Sequence, residues 1–355
     1  MYNRTLNILA LFTALATFPL IFMGGLVTSH GAGMSVPDWP NSYGYNMFTF
    51  PPSKWVGGIF YEHTHRLMGT VVGMLAIALC VAAYRFETRK WARTLCYSVL
   101  GAVIVQGILG GLRVVLVEVE LAVVHACFAQ AFFCLAAAAC VVTSKWWIEA
   151  PDLSQSDAVF AGRRLIVACV FALVAIYAQL IVGAMMRHYG AGLAVPDLPL
   201  AYGQVIPATD PASLQALNNH RAWNLGLPHV TETEIWIHMG HRIGAILVTI
   251  TLLAAITIAL RHHRRERQLV RPAGLLIILL FTQITLGVLT VLLRKPADIA
   301  SLHVAVGALT LVTTFVLTVR ASRLYARRRE LAADYVNDIH ETETALEGRG
   351  RLAAA

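Results

Sequence analysis

Four histidines have the type and spacing to do chemistry: His65, His125, His241 and His303. Each stands near the start of an apolar run of about twenty residues, and each is followed four positions later by a small residue: Gly69, Ala129, Ala245 and Gly307. On a helix, positions i and i+4 share a face, so a flat macrocycle held by the histidine would meet no bulky side chain beneath it. Two imidazoles on facing helices can ligate one heme iron from both sides. Four such residues make two pairs, enough for two six-coordinate hemes. Zinc or copper also takes histidine, but no carboxylate or thiolate recurs beside both pairs to complete a cage. A histidine inside a membrane span otherwise finds a polar partner on a neighbouring helix.

Arg66 and Arg242 directly follow the first histidine of each pair. A guanidinium there can grip heme propionates, answer a nearby carboxylate, or snorkel to the interface. Glu62 lies three residues before His65 on the same helical face, and the matching position before His241 is His238. That carboxylate could lie over the edge of a first heme. It could also pair with Arg66 or cap the helix start. The asymmetry suggests one half equipped for reaction and one for holding electrons. His30, His63, His188, His220 and His229 read as loop or interface residues, and Gln106, Gly110, Gln283 and Gly287 as helix-packing positions.

The elements that must position these residues are membrane spans. The 355 residues are 57% hydrophobic and 14% charged, which excludes an ordinary soluble domain. Runs long enough to cross a bilayer fall at 8–29, 64–84, 94–116, 121–143, 163–186, 237–260, 272–293 and 301–321. The first reads as a retained span, not a cleaved signal peptide. The net charge of +8 is distributed as positive-inside bias, not as a nucleic-acid footprint: Arg85, Arg89, Lys90 and Arg93, then Arg261 to Arg271, then Arg320 to Arg329 fall on one side. Both termini are therefore expected in the cytoplasm of a bacterial inner (cell) membrane. The six cysteines lie in or beside the spans with no CxxC or CxxCH, which argues against disulfides, zinc sites and covalent heme attachment.

The chain is a tandem repeat. Residues 24–44, GGLVTSHGAGMSVPDWPNSYG, align without gaps to 183–203, GAMMRHYGAGLAVPDLPLAYG. The expected architecture is all-α, with eight transmembrane helices as two tandem four-helix bundles about a pseudo-twofold axis along the membrane normal. The boundaries fall at 1–150, 151–325 and a charged cytoplasmic tail, 326–355, expected as a surface helix ending in disorder. Two long loops, 30–62 and 187–236, form lids over the sites, their GAG and VPD elements marking tight turns. The added length near 204–230 breaks the symmetry.

The Glu62-x-x-His65-Arg66 motif, four histidines on even-numbered spans and the doubled GAG-x-x-VPD-x-P loop resemble the heme A synthase family, over about residues 8–321. The resemblance implies a membrane oxidoreductase that takes heme O to heme A for aa3-type terminal oxidases, turning a porphyrin methyl into a formyl group by successive hydroxylations and loss of water. It implies that His241 and His303 hold a resident heme b, that His65 and His125 hold the substrate heme, and that Glu62 is the essential carboxylate. Heme O synthase and oxidase assembly factors are the partners it implies, with the electron donor unknown. Some members carry a cysteine pair in the first outer loop; residues 30–62 have none, so no thiol relay is expected there. A membrane electron-transfer cytochrome with two b hemes would use the same histidines, but needs no carboxylate in one half alone. A transporter is the third reading, disfavoured by the absence of broken apolar segments and of acidic residues deep in the spans.

Overall fold

A computed structural model describes residues 2–150, 153 and 156–353, the side chains of 156–158 and of 326–353 excepted. The helices are α1 (Arg4–Ser29), α2 (Gly58–Phe86), α3 (Lys90–Leu116), α4 (Val119–Val142), the single-turn α5 (Lys145–Ile148), α6 (Ser156–His188), α7 (Pro211–His220), α8 (Glu232–His262), α9 (Arg267–Leu292) and α10 (Ala297–Ala353). Among the described residues eight helices are long and apolar enough to span a membrane, as the hydropathy requires. The fold is helical because hydrocarbon offers a backbone no other hydrogen-bond partner than its own carbonyls.

The spans start earlier than their apolar runs. α2 begins at Gly58 and α8 at Glu232, so Glu62, His65, His238 and His241 sit inside the helices, one to three turns from the end. Thr231 and Glu234 close a capping box at the start of α8, which lets polar sequence join the helix before the apolar run begins. The charged tail continues α10 as helix to Ala353.

Packing follows one plan twice. In the first half α1 lies against α2 and α4, with α2 on α3 and α3 on α4. In the second, α6 lies against α8 and α10, with α8 on α9 and α9 on α10. Each half has its own apolar core. Leu6, Val72, Leu79 and Val99 lie in the first, Leu165, Leu252, Leu276 and Leu317 in the second. Because i and i+1 neighbours form a ring, α2 and α4 stand diagonally, as do α8 and α10. All four histidines are on these diagonal helices.

The halves meet where α1 and α4 pack on α10 and α4 on α6. A small core of Ile21, Phe133 and Ala308 lies there. A Cβ on Gly25 would come within 3.1 Å of Ser301, so the absence of a side chain allows that crossing. Ser29 and Ser301 hydroxyls bond at 2.9 Å, and Arg187 of α6 donates to Gly25 O and Ser29 Oγ on α1. All six cysteines are free thiols.

Candidate functional site

Each of the four imidazoles lies against a glycine on the adjacent helix. A Cβ built on Gly24 of α1 would come 2.9 Å from His65 Cε1, on Gly110 of α3 3.0 Å from His125, on Gly183 of α6 3.1 Å from His241, and on Gly287 of α9 3.1 Å from His303. A Cβ at 2.9 Å is closer than real Cβ atoms come, and one at 3.0–3.1 Å is tighter than nearly all are, so a larger residue at any of the four would have to displace its ring. The pattern repeats residue for residue between the halves. The small residues that the spacing singles out are in different surroundings. Gly69 does face open space, as a macrocycle face requires, but beside Gly307 stand Leu180 and Gln283 at 3.2 and 3.3 Å from a built Cβ.

The donor chemistry fits a ligand role. Nδ1 of all four histidines is buried without a hydrogen-bond partner, an arrangement rare for purely structural groups. The amide nitrogens of Gln106 and Gln283 approach Nε2 of His125 and His303 at 3.3 Å. An amide donor there leaves Nε2 as the acceptor, the lone pair a metal would use. Gln106 also donates to His125 O at 3.0 Å, and Gln179 to His241 O at 2.8 Å. The His241 and His303 rings have centroids 6.3 Å apart. Imidazole–metal bonds are about 2 Å long, so a metal between two imidazoles separates their ring centres by roughly 6 Å. Among the described residues no group of three or more His, Cys, Asp or Glu could hold a metal. Two-histidine sites suit a metal whose remaining ligands arrive in a macrocycle.

Over these pockets the two repeated loops fold alike. Asp38 accepts from Tyr43 N at 2.7 Å and Gly44 N at 2.8 Å; Asp197 accepts from Tyr202 N and Gly203 N at 2.8 and 2.9 Å. Tyr43 and Tyr202 have φ of 52° and 54°, each followed by a glycine at 76°. Two successive left-handed residues make the tight hairpin turn in which Ser42 pairs with Tyr45 and Ala201 with Gln204. Burial opposes ionisation of Asp38, yet the N–H groups of Gly44 and Tyr43, with the Arg66 charge, hold its carboxyl below the usual value.

Arg66 and Arg242 bind these loops from below. Arg66 donates through Nη1 to Asp38 O and Asn41 O, at 2.7 and 2.9 Å, and through Nη2 to Val36 O and Glu62 Oε1, at 2.7 and 2.8 Å. Arg242 reaches the equivalent carbonyls of Val195, Asp197 and Leu200 at 3.0, 2.6 and 2.9 Å. All four terminal N–H hydrogens of Arg66 thus have protein acceptors. Of the roles open to these arginines, the structure displays loop fixation; Arg66 would have to give up one of these bonds to meet a propionate, whereas Arg242 keeps a buried Nε with no partner.

Glu62 is buried, 4% exposed. Its Oε1 pairs with Arg66 at 2.8 Å and its Oε2 accepts from Val36 N at 2.8 Å. His238, its counterpart, faces Ala191 O through Nδ1 at 3.0 Å. Both residues therefore tie their helix to the loop above, one as an anionic acceptor and one as a neutral partner. His63 is fully buried beneath the first loop, with Ser42 Oγ at 3.2 Å from Nδ1 and the Phe50 and Trp55 rings against it. The extra segment of the second loop contains α7 and Arg221, whose buried guanidinium donates to Pro228 O, Leu193 O, Ala194 O and Tyr202 Oη. His30 stacks on Tyr61, and His188 and His220 end α6 and α7.

The site has a signal that sequence could have carried further: Gly24 and Gly183 open the aligned motif, and Gly110 and Gly287 follow the matched glutamines. Comparison with known proteins agrees with the geometry. The heme A synthase of Bacillus mycoides (strain KBAB4) is 26% identical over 311 residues, covering 85% of this chain and 88% of its own. Those of Bacillus cereus (strain 03BB102) and Bacillus anthracis (strain A0248) are 25% identical with the same coverage. Residues 7–316 match the family described as cytochrome oxidase assembly protein, COX15-CtaA. With nearly its whole length matched, the chain belongs to this family, that of the heme A synthases.

Proposed function

We propose that this protein is a heme A synthase, a membrane oxidoreductase that converts the C8 methyl of heme O to a formyl group and so supplies heme A to aa3-type terminal oxidases. The observation that carries the reading is the doubled set of glycine-seated imidazoles with free Nδ1 atoms, within a chain matched over 85% of its length by a heme A synthase. His65 and His125 bind and orient the substrate heme, and His241 and His303 hold a resident heme b. That heme, when bound, supplies one-electron transfer. The repeated loop contacts support placing the halves about a pseudo-twofold axis along the membrane normal.

The chain's residues orient the substrate and shape the field around it. The imidazole pair fixes the plane of the macrocycle, and the seating glycines fix the imidazoles. The lid of residues 30–57, pinned by Arg66 and Glu62, keeps water from the edge at which the methyl is oxidised. Glu62 is ion-paired and accepts through both oxygens, so its role is a fixed negative charge that favours positive charge developing on the methyl carbon. Two successive hydroxylations at that carbon, each a two-electron oxidation that draws on an oxidant from outside the protein, give a geminal diol, which loses water to the aldehyde. The farnesyl chain of heme O lies among the apolar faces of the spans. Heme O synthase and oxidase assembly factors are the partners of this reading, and a multi-pass inner membrane position with both termini cytoplasmic is its topology.

The test is pigment extraction from cells expressing Glu62→Gln, which removes the charge while nearly preserving shape. Heme b should remain and heme O or a partly oxidised intermediate should accumulate, with little heme A. Near-normal heme A would exclude Glu62 from the reaction, and heme b as the sole pigment of the unaltered protein would favour the two-heme electron carrier.

A further inference from the structure

The two halves differ in sequence at the outer ends of their third spans, yet both bring a cation to the same place. In the first half the guanidinium of Arg113, in the last turn of α3, lies over Gly33, with Cζ 3.5 Å from where a Cβ would stand. Its one recorded hydrogen bond is long, 3.4 Å to Gly33 O. Gly33 closes the first GAG element, and its counterpart is Gly192. Counting from Gln106 and Gln283, the residue that matches Arg113 is Thr290, whose hydroxyl donates to Leu286 O in its own helix. The second half nevertheless fills the spot. Lys295 lies over Gly192, with Cδ 3.1 Å and Nζ 4.0 Å from the built Cβ.

Lys295 reaches it by an unfavourable backbone. Arg294 and Lys295 have φ of 59° and 61°, in the left-handed region that non-glycine residues avoid. Lys295 N turns back to Thr290 O at 2.7 Å. With Arg294 N on Val291 O at 3.1 Å, this is the hydrogen-bond pattern of a left-handed helix C-cap, which sets the direction in which Lys295 leaves α9. A cation at the same glycine, reached from different positions, is therefore a property of the site and not of the aligned sequence.

Both cations border the histidine pockets. Arg113 is one turn beyond Gly110, the seat of His125, and on the same face of α3. It interacts electrostatically with Glu62 and Arg66. Gly192 adjoins Ala191, whose carbonyl faces His238, one turn from His241. Among the described residues neither Arg113, which is half-buried, nor Lys295, which is exposed, forms a salt bridge. A half-buried guanidinium in an apolar span is costly without an anion. Of the arginines adjacent to the histidines, Arg66 has all four terminal N–H hydrogens on loop carbonyls and Glu62, while Arg242 holds three loop carbonyls and keeps a buried Nε without a partner.

We propose that Arg113 and Lys295 are equivalent carboxylate anchors, one at the outer edge of each histidine pocket, that receive the acidic side chains of the macrocycle bound there. The inference rests on the heme reading above and assigns the propionate contacts to these residues. The difference in type follows the difference in task. Arg113 offers a planar fork that fixes a carboxylate in two directions, whereas Lys295 offers a point charge. The pocket that must present one particular methyl has the directional anchor, and the pocket that only retains its heme does not.

The test uses purified protein with its resident heme and two probes, hemin and hemin dimethyl ester, followed by Soret absorbance. Signal that disappears in His125→Ala belongs to the first pocket. Unaltered protein should bind hemin roughly tenfold to a hundredfold tighter than the ester, the range of a charge-assisted hydrogen bond. Arg113→Gln should lose that preference by weakening hemin alone, Arg113→Lys should keep part of it, and an unchanged resident heme spectrum would show both variants folded. Lys295→Gln should speed transfer of resident heme to excess apomyoglobin. Equal binding of the two probes by unaltered protein, or an undiminished preference in Arg113→Gln, would overturn the assignment. Absence of any His125-dependent signal with either probe would instead remove the pocket itself.

Discussion

At the scale of residues, the histidines were legible because their spacing against small residues is local and repeats. The seats of those histidines were not, because Gly24 and His65 are on different helices and meet only when α1 packs on α2. Arg66 and Arg242 show the same limit. Their adjacency to a candidate ligand histidine suggested a contact with a bound group; the three carbonyls of the turn above, which the structure adds, come from a distant part of the chain. The glycine seats give a direct prediction. Gly183→Val and Gly287→Val should force His241 or His303 from its position at a cost of about 1–3 kcal/mol, seen as loss of six-coordinate low-spin heme from the second half. Gly274→Val on α9, where a Cβ meets nothing within 4 Å, should leave that spectrum intact. If the seat variants retained it as well, the glycines would be reduced to packing residues.

At the scale of elements, the eight spans were readable from hydropathy alone, but their ends were not. Gly58 to His63 join α2, and the capping box at Thr231 draws Glu232 to Trp236 into α8, against their mixed composition. The loops were foreseen as lids, and their internal logic came from the structure: one aspartate per loop accepting two N–H groups of a left-handed turn. Asp38 has a depressed folded-state pKa. Its stabilisation is therefore complete above the unfolded value near 3.8 and is lost as pH falls through the folded value. The first loop should resist protease from neutral pH down to about pH 4 and become cleavable below it. Asp38→Asn can keep one of the two bonds, so it should raise cleavage at neutral pH by an amount equivalent to about 1 kcal/mol. Asp197→Asn should do less, since Arg221 also fastens the second loop. Equal cleavage of Asp38→Asn and unaltered protein would show that the carboxylate does not set the fold of this loop.

At the scale of the whole molecule, the repeat predicted that two halves would be built alike, and the helix ring and loop contacts are indeed duplicated. What no alignment of the halves could show is where they touch, since that surface has no internal counterpart. The end of the bundle away from the long loops has Arg89 over Trp91, Arg320 over Trp146 and Arg323 over Trp147. Such pairs suit a headgroup boundary. With this end cytoplasmic, a membrane-impermeant maleimide should label a cysteine placed at Asn46 in intact cells and fail to label one at His262. The opposite pattern would invert the protein in the membrane.

The junction between halves also sets a timetable for biosynthesis. Ser29 and Ser301, which touch at the crossing of α1 and α10, are 272 residues apart in the chain. At about 5–20 residues per second, the ribosome needs roughly 15–50 s to bring the second into existence after the first. Through that interval the α1 face bearing Gly25 and Ser29 waits in the translocon or in lipid, first for Arg187, which donates to Gly25 O and Ser29 Oγ, and last for Ser301. The first half can therefore gather its four helices early, but its outer flank is finished only by the last span to be made.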